Sequence, residues 1–168
     1  MPTAEATLEW EIYSAEPEEL TTPADQVVSW RDTLSKSSTD AAAMGRQQLE
    51  EEIERSRLIL ALEDNWDGEG STAYAEDTIE RATSFLTRHV DWVWRWCGVE
   101  APIPKIGPGP DGSIDLFWKQ SSWELLVNIP ANPDQMATFY GDNYGAQKIK
   151  GSFDPKKVTF GIATWLMM

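Results

Sequence analysis

Between Tyr74 and Cys97, Ile79, Ala82, Phe85, Leu86, His89, Val90, Val93 and Trp96 fall along one broad stripe at helical spacing, with Glu80, Arg88, Asp91 and Arg95 opposite. Past Pro102 the repeat shortens to two. Ile114, Leu116 and Trp118 alternate with Asp115, Phe117 and Lys119, and Trp123, Leu125, Val127 and Ile129 alternate with Glu124, Leu126 and Asn128. An apolar stripe on a helix and an apolar face on a sheet must cover one another, so this change of period predicts an α+β fold. Turn-rich breaks at 119–122, 130–134 and 141–145 divide the sheet into three or four strands, most simply an antiparallel meander.

Upstream, residues 41–62 place Ala42, Gly45, Leu49, Ile53, Ser56 and Leu60 in a narrow stripe, with Glu50, Glu51 and Glu54 pointing elsewhere. This predicts a second amphipathic helix, capped by Asp40, which the 63–71 turn joins to the first as a helical hairpin. The serine-containing run 34–39 reads as a connector. Before it, a short helix is expected from Pro23, capped by Thr22 and carrying Val27, Trp30 and Leu34 on one side. Thr7 to Tyr13 alternates, with Leu8, Trp10 and Ile12 on one face, as a half-buried N-terminal strand would. At the other end, 156–168 fits a helix through Val158, Ile162 and Trp165 or a strand through Val158, Phe160 and Ile162, and helix is preferred. A chain of 168 residues suits one domain, comprising an N-terminal extension over 1–40, a helical hairpin over 41–100 and a β-meander with a C-terminal element over 101–168.

The charge is distributed as unevenly as the periodicity. Residues 1–80 hold 20 Asp and Glu against 5 Lys and Arg, whereas 81–168 hold 8 against 9, leaving −15 and +1 of a formal −14. Nine Trp, five Phe and four Tyr argue for a packed core despite that charge. A potential of this sign repels phosphate backbones and attracts basic surfaces, so direct nucleic-acid binding is not expected and a protein partner with a basic surface is. The single Cys97 cannot form an internal disulfide or a multi-cysteine zinc site. There is no leader pattern at Met1–Glu5 and no run of about 18 apolar residues, so a cytoplasmic protein without membrane contact is expected.

Residues expected to do chemistry are scarce. If Gly68 sat sixth in a calcium loop, Glu63, Asn65 and Asp67 would stand first, third and fifth, but the twelfth is Tyr74 where a bidentate Glu is needed. The 63–71 segment therefore reads as a structural turn, with Asp67-Gly68 as the bend and Trp66 plugging the core. The run Gly107 to Ser113 contains two prolines, which remove the donors a phosphate cradle requires, and reads instead as a stiff lead-in to a strand. His89, mid-stripe, reads as a buried, hydrogen-bonded imidazole. Cys97 lies eight residues from it, about 12 Å along the same helix, too far for a nucleophile–base pair. No catalytic residue, metal or cofactor is assigned. Trp92 and Trp94 lie at the margins of the stripe that Trp96 faces, covered by the sheet and the N-terminal segment or exposed as an anchor for a partner. The run Glu50-Glu51-Glu52-Ile53-Glu54 reads as a solvated face, with Glu51 paired to Arg55 and Glu54 to Arg57.

Two motifs carry a resemblance. Asn65, Trp66, Asp67, Gly68 and Gly70 form an Asn-Trp-Asp-Gly-x-Gly turn, and Pro104, Ile106, Pro108, Pro110, Asp111, Gly112, Ile114, Leu116 and Trp118 form a proline-punctuated entry, an Asp-Gly turn and an alternating strand, with Glu124 on the strand after it. Over about residues 58–130 the chain resembles small uncharacterised bacterial and phage-associated proteins, departing from them at Glu69 and Ser71, where an aromatic residue and Ala are expected. The resemblance implies an α+β fold and a setting among mobile-element or defence genes, and no activity. Together these observations point to a non-enzymatic interaction protein, a regulator, inhibitor or antitoxin-like partner. Its expected contact residues are Glu50, Glu51, Glu54, Glu63, Asp64, Trp66, Asp67 and Glu69. The alternatives are a DNA mimic, a protease substrate or switch cut in the 34–40 connector, and a small carboxylate-dependent hydrolase. Oligomeric state is left open.

Overall fold

The structure, a computed structural model, describes residues 23–145 and 147–168, with side chains from residue 40 onward. The expected strand at Thr7–Tyr13, the acidic loop after it and the Thr22 cap lie outside these residues. The chain divides into two compact units, Met1–Ser37 and Ser38–Met168.

The described chain contains three α-helices, five strands and two short 3-10 turns at Arg57–Ala61 and Pro110–Gly112; the helices and strands are α1 (Pro23–Ser56), α2 (Glu76–Cys97), β1 (Lys105–Pro108), β2 (Ile114–Lys119), β3 (Glu124–Ile129), β4 (Ala137–Asp142), β5 (Lys148–Phe153) and α3 (Phe160–Trp165). The strands form one antiparallel sheet in sequence order, β1-β2-β3-β4-β5, the expected meander with more strands than the three or four predicted. The additional strand is β1, which takes in only the first two residues, Gly107 and Pro108, of the run that reads as a lead-in. Pro108 is tolerated there because β1 is an edge, where a missing N–H costs no ladder bond.

The period-two pattern maps directly onto burial. Ile114, Leu116 and Trp118 on β2 and Leu125, Val127 and Ile129 on β3 are buried, and α2 packs over them with Ile79, Ala82, Phe85, Leu86 and Val93. Each large apolar side chain so covered stabilises the fold by about 1.5–3 kcal/mol. Phe153 of β5 extends the contact, its ring centroid 5.2 Å from that of Phe85. Glu76 and Asp77 in the first turn of α2 complement the helix dipole, and Gly98 ends the helix in the left-handed region at φ 66°, its N–H donating to the Trp94 carbonyl at 3.0 Å. The C-terminal segment is helical, as preferred, but only for the six residues of α3, with Ile162 and Trp165 buried.

Upstream of α2 the structure departs from expectation. There is no connector at 34–39, and Asp40 is not a cap, because α1 is one helix of 34 residues from Pro23 to Ser56. Neither Gly nor Pro occurs between Ala24 and Met44, and Ser or Thr inside a helix costs only a few tenths of a kcal/mol each, too little to break it. The α-helix then stops short of Leu62. It tightens at Arg57–Ala61 into a 3-10 turn, which rotates the stripe so that Ile59 is buried and Leu60 exposed.

Candidate functional site

Of the predicted contact residues, Glu50, Glu51 and Glu54 are exposed on α1, and Glu63, Asp64, Trp66, Asp67 and Glu69 are exposed in the loop that follows. Glu54 meets Arg57 at 3.2 Å, and Glu51 accepts a hydrogen bond from the Gln47 amide at 2.9 Å rather than pairing with Arg55. Among the described residues, no Lys or Arg forms an ion pair with Glu50, Glu51, Glu63 or Glu69.

Glu52 does not belong to this solvated face. It is only 7% exposed, its carboxylate accepting the Ile106 N–H of β1 at 2.7 Å and pairing with Arg55. A buried carboxylate is tolerated only when it is paired and hydrogen-bonded, and Glu52 has both partners. Glu52 is of the same residue type as the exposed Glu50, Glu51 and Glu54 around it. The only available signal was position, since Glu52 lies three residues from Leu49 and four from Ser56, the other two buried residues of this stretch.

The 63–71 loop is built around its own carboxylates. Asp67 accepts hydrogen bonds from the Ser71 hydroxyl and from the Glu69 and Ser71 N–H groups, and this set, the hydroxyl foremost, holds its pKa below the ordinary carboxylate value. Asn65 Oδ1 accepts the Gly70 N–H at 2.8 Å, and Asp64 Oδ1 accepts the Ala73 N–H at 2.7 Å. Gly68 at φ 76° and Gly70 at φ 91° supply the left-handed residues that this wrapping needs. Asp64 and Asp67 are thus partly committed to shaping the loop. Trp66 does not plug the core. It is 42% exposed and leans over Tyr74, with ring centroids 6.4 Å apart.

The structure brings the two sequence motifs together. The buried Tyr74 hydroxyl, just after the first motif, donates to the Gly109 carbonyl in the second at 2.8 Å. A Cβ on Gly112 would lie 3.2 Å from Thr72 Oγ1 and 3.3 Å from the Ala73 carbonyl, so the turns meet closely at a position whose φ of 73° favours glycine. Behind them Asn128 Nδ2 donates to Ser113 Oγ and to Asp115 Oδ1, both at 2.7 Å. Burial raises the Asp115 pKa, and the Asn128 bond opposes that rise. Both motifs therefore have a sufficient structural role as the two halves of one locked corner.

His89 is buried, as expected. Its Nε2 accepts the Thr159 N–H at 3.1 Å, so the proton resides on Nδ1 and is donated to the Phe85 carbonyl at 3.0 Å. Desolvation lowers its pKa to about 4, keeping it neutral at physiological pH. Cys97 is exposed beyond it.

The expectation for Trp96 is reversed. It is 71% exposed, while Trp92 packs edge-on against Phe160 at 5.4 Å. Among the described residues, the cover over Trp92 comes from the C-terminal segment. Comparison with protein-family models, characterised proteins and solved structures finds no match. No described helix is long and apolar enough to cross a membrane.

Proposed function

We propose that this chain is a non-enzymatic interaction protein that docks a basic surface of a protein partner onto the carboxylates of α1 and the 63–70 loop. It would act as a regulator, inhibitor or antitoxin-like partner in a bacterial or phage conflict system. The observation that carries this reading is the set Glu50, Glu51, Glu63 and Glu69, exposed and without a cationic partner among the described residues. Carboxylates left in this state contribute little to the fold and strongly attract cationic surfaces. Glu52 and Asp67 contribute differently, one anchoring α1 and the other shaping the loop that presents Glu63 and Glu69.

Affinity capture by the full chain from native-host lysate, run beside the Glu50→Lys, Glu51→Lys, Glu54→Lys triple variant, tests this. A basic protein retained by the wild type should be lost by the variant, and its retention should weaken as salt rises from about 0.05 to 0.3 M. Equal retention by both chains would overturn the acidic-face assignment.

A further inference from the structure

At the far end of α2 the surface has a different chemistry. Arg88, Trp92, Arg95 and Trp96 stand at i, i+4, i+7 and i+8, on one side of the helix, and with Val158 and Asp91 they line an open cleft of about 260 Å³. Phe160, 74% exposed, continues the aromatic strip from Trp92, so that Phe160, Trp92 and Trp96 run along the last two turns of α2. Arg88 is held in place by donating to the Pro155 carbonyl at 2.9 Å, and through it the cleft adjoins a second one that includes Lys156. The carboxylate in the aromatic cleft, Asp91, faces Arg46 at 4.0 Å. Arg88 and Arg95 outnumber Asp91 in the aromatic cleft, and Arg81, Arg88 and Lys156 outnumber Asp77 and Glu80 in the adjoining one, so each carries a small positive excess on a chain of net charge −14.

We infer that this cleft is a second docking site, one that takes a short acidic segment of a partner protein carrying a single large apolar side chain. The apolar group seats between Trp92 and Trp96, and flanking carboxylates meet Arg95 and Arg88. Exposed Trp beside Arg is the composition in which interface binding energy concentrates, and a guanidinium pairs with a carboxylate through two parallel hydrogen bonds. Charge selects this occupant over the alternatives. A nucleic-acid strand brings a phosphate every few ångströms and a second copy of the chain brings −14, so both are repelled far more strongly at long range than a segment with two or three carboxylates, whose contacts with Arg88 and Arg95 are local. This site lies on α2 and the approach to α3, and so is independent of the acidic face on α1.

Selection of random 12-residue displayed peptides on the full chain, with counter-selection on the Trp96→Ser, Phe160→Ser double variant, tests the inference. Both side chains are exposed, so the variant should melt at nearly the wild-type temperature. Should it unfold instead, Arg95→Glu takes its place. The expected outcome is a consensus with at least two Asp or Glu around one Trp, Phe or Leu, whose synthetic peptide binds the wild type and loses at least about tenfold in affinity to Arg95→Glu. A basic or neutral consensus, no consensus, or equal affinity for Arg95→Glu would overturn it. So would binding of a labelled 12-nucleotide oligo-dT that depends on Trp96, or a wild-type dimer in sedimentation that Trp96→Ser dissolves.

Discussion

The helices α1 and α2 are both amphipathic, yet they are attached to the sheet by different physics. Along α2 the contact is apolar: Ile79, Ala82, Phe85, Leu86 and Val93 lie against β2 and β3, with His89 as a satisfied polar insert. Along the part of α1 whose side chains are described, Leu49 joins the core and Ile53 packs against it, but the other buried residues, Glu52 and Ser56, are polar, and the Glu52 carboxylate adds a hydrogen bond to β1. Apolar burial is non-directional and tolerates small shifts, whereas a carboxylate aimed at one N–H is directional and intolerant of its removal. The α2 contact should therefore weaken only when its core is emptied, whereas the α1 contact should respond to the loss of one hydrogen bond as well.

The sharpest test of this contrast is Phe85→Ala, which removes a fully buried ring touching Phe153 and His89 and is expected to cost about 3–5 kcal/mol in urea unfolding. A loss below about 1 kcal/mol would mean that α2 is not held as described. Next comes acid. His89 has a folded pKa of about 4, below its ordinary 6.5, so its contribution is complete above pH 6.5 and is lost progressively as pH falls towards 4, by about 3 kcal/mol in all. The stability difference between wild type and His89→Gln should accordingly shrink below pH 6.5. A difference independent of pH from 7 to 4.5 would show that the imidazole is not held neutral.

A smaller effect separates the helices most directly. Glu52→Ala leaves the Ile106 N–H without its acceptor and should cost about 1–3 kcal/mol, with faster amide exchange at Ile106. Unchanged exchange would place the clamp elsewhere. Smallest in stability is the triple reversal at Glu50, Glu51 and Glu54, expected within about 0.5 kcal/mol of wild type by thermal melting. A large loss there would mean that these carboxylates support the fold instead of being available to a partner.

The same contrast explains what could be read from the chain alone. α2 and strands β2 and β3 were legible because their burial is apolar and periodic, down to the alternation of Leu125, Val127 and Ile129. The second half of α1 was misread at Glu52, since periodicity assigns charge to solvent and does not register a backbone N–H approaching from β1, 54 residues away. The 34–39 connector was misread because serines favour turns only when no stronger local preference opposes them. Trp96 was misplaced because an amphipathic stripe specifies a side of the helix without showing how far along it the cover extends, and burial stops between Val93 and Trp96. At the candidate site, the exposed Glu50, Glu51, Glu54, Glu63 and Glu69 followed from sequence, whereas the hydrogen bonds that Asp67 and Asp64 accept depend on the folded loop.

Glu52 also bears on what the sheet can do with its neighbours. Along β1 the alternation of the antiparallel ladder turns Ile106 and Pro108 away from β2; the first N–H is taken by Glu52 and the second does not exist. That edge offers no donor to an incoming strand. By the same alternation the backbone groups of Lys148, Lys150 and Ser152 face outward from β5, so that rim keeps its donors, and the Lys148 ammonium is paired with Asp142 of β4. The two borders of the sheet thus differ, and loss of Glu52 would return a donor to the one that has none, making slow self-assembly as natural a readout of that variant as its melting point.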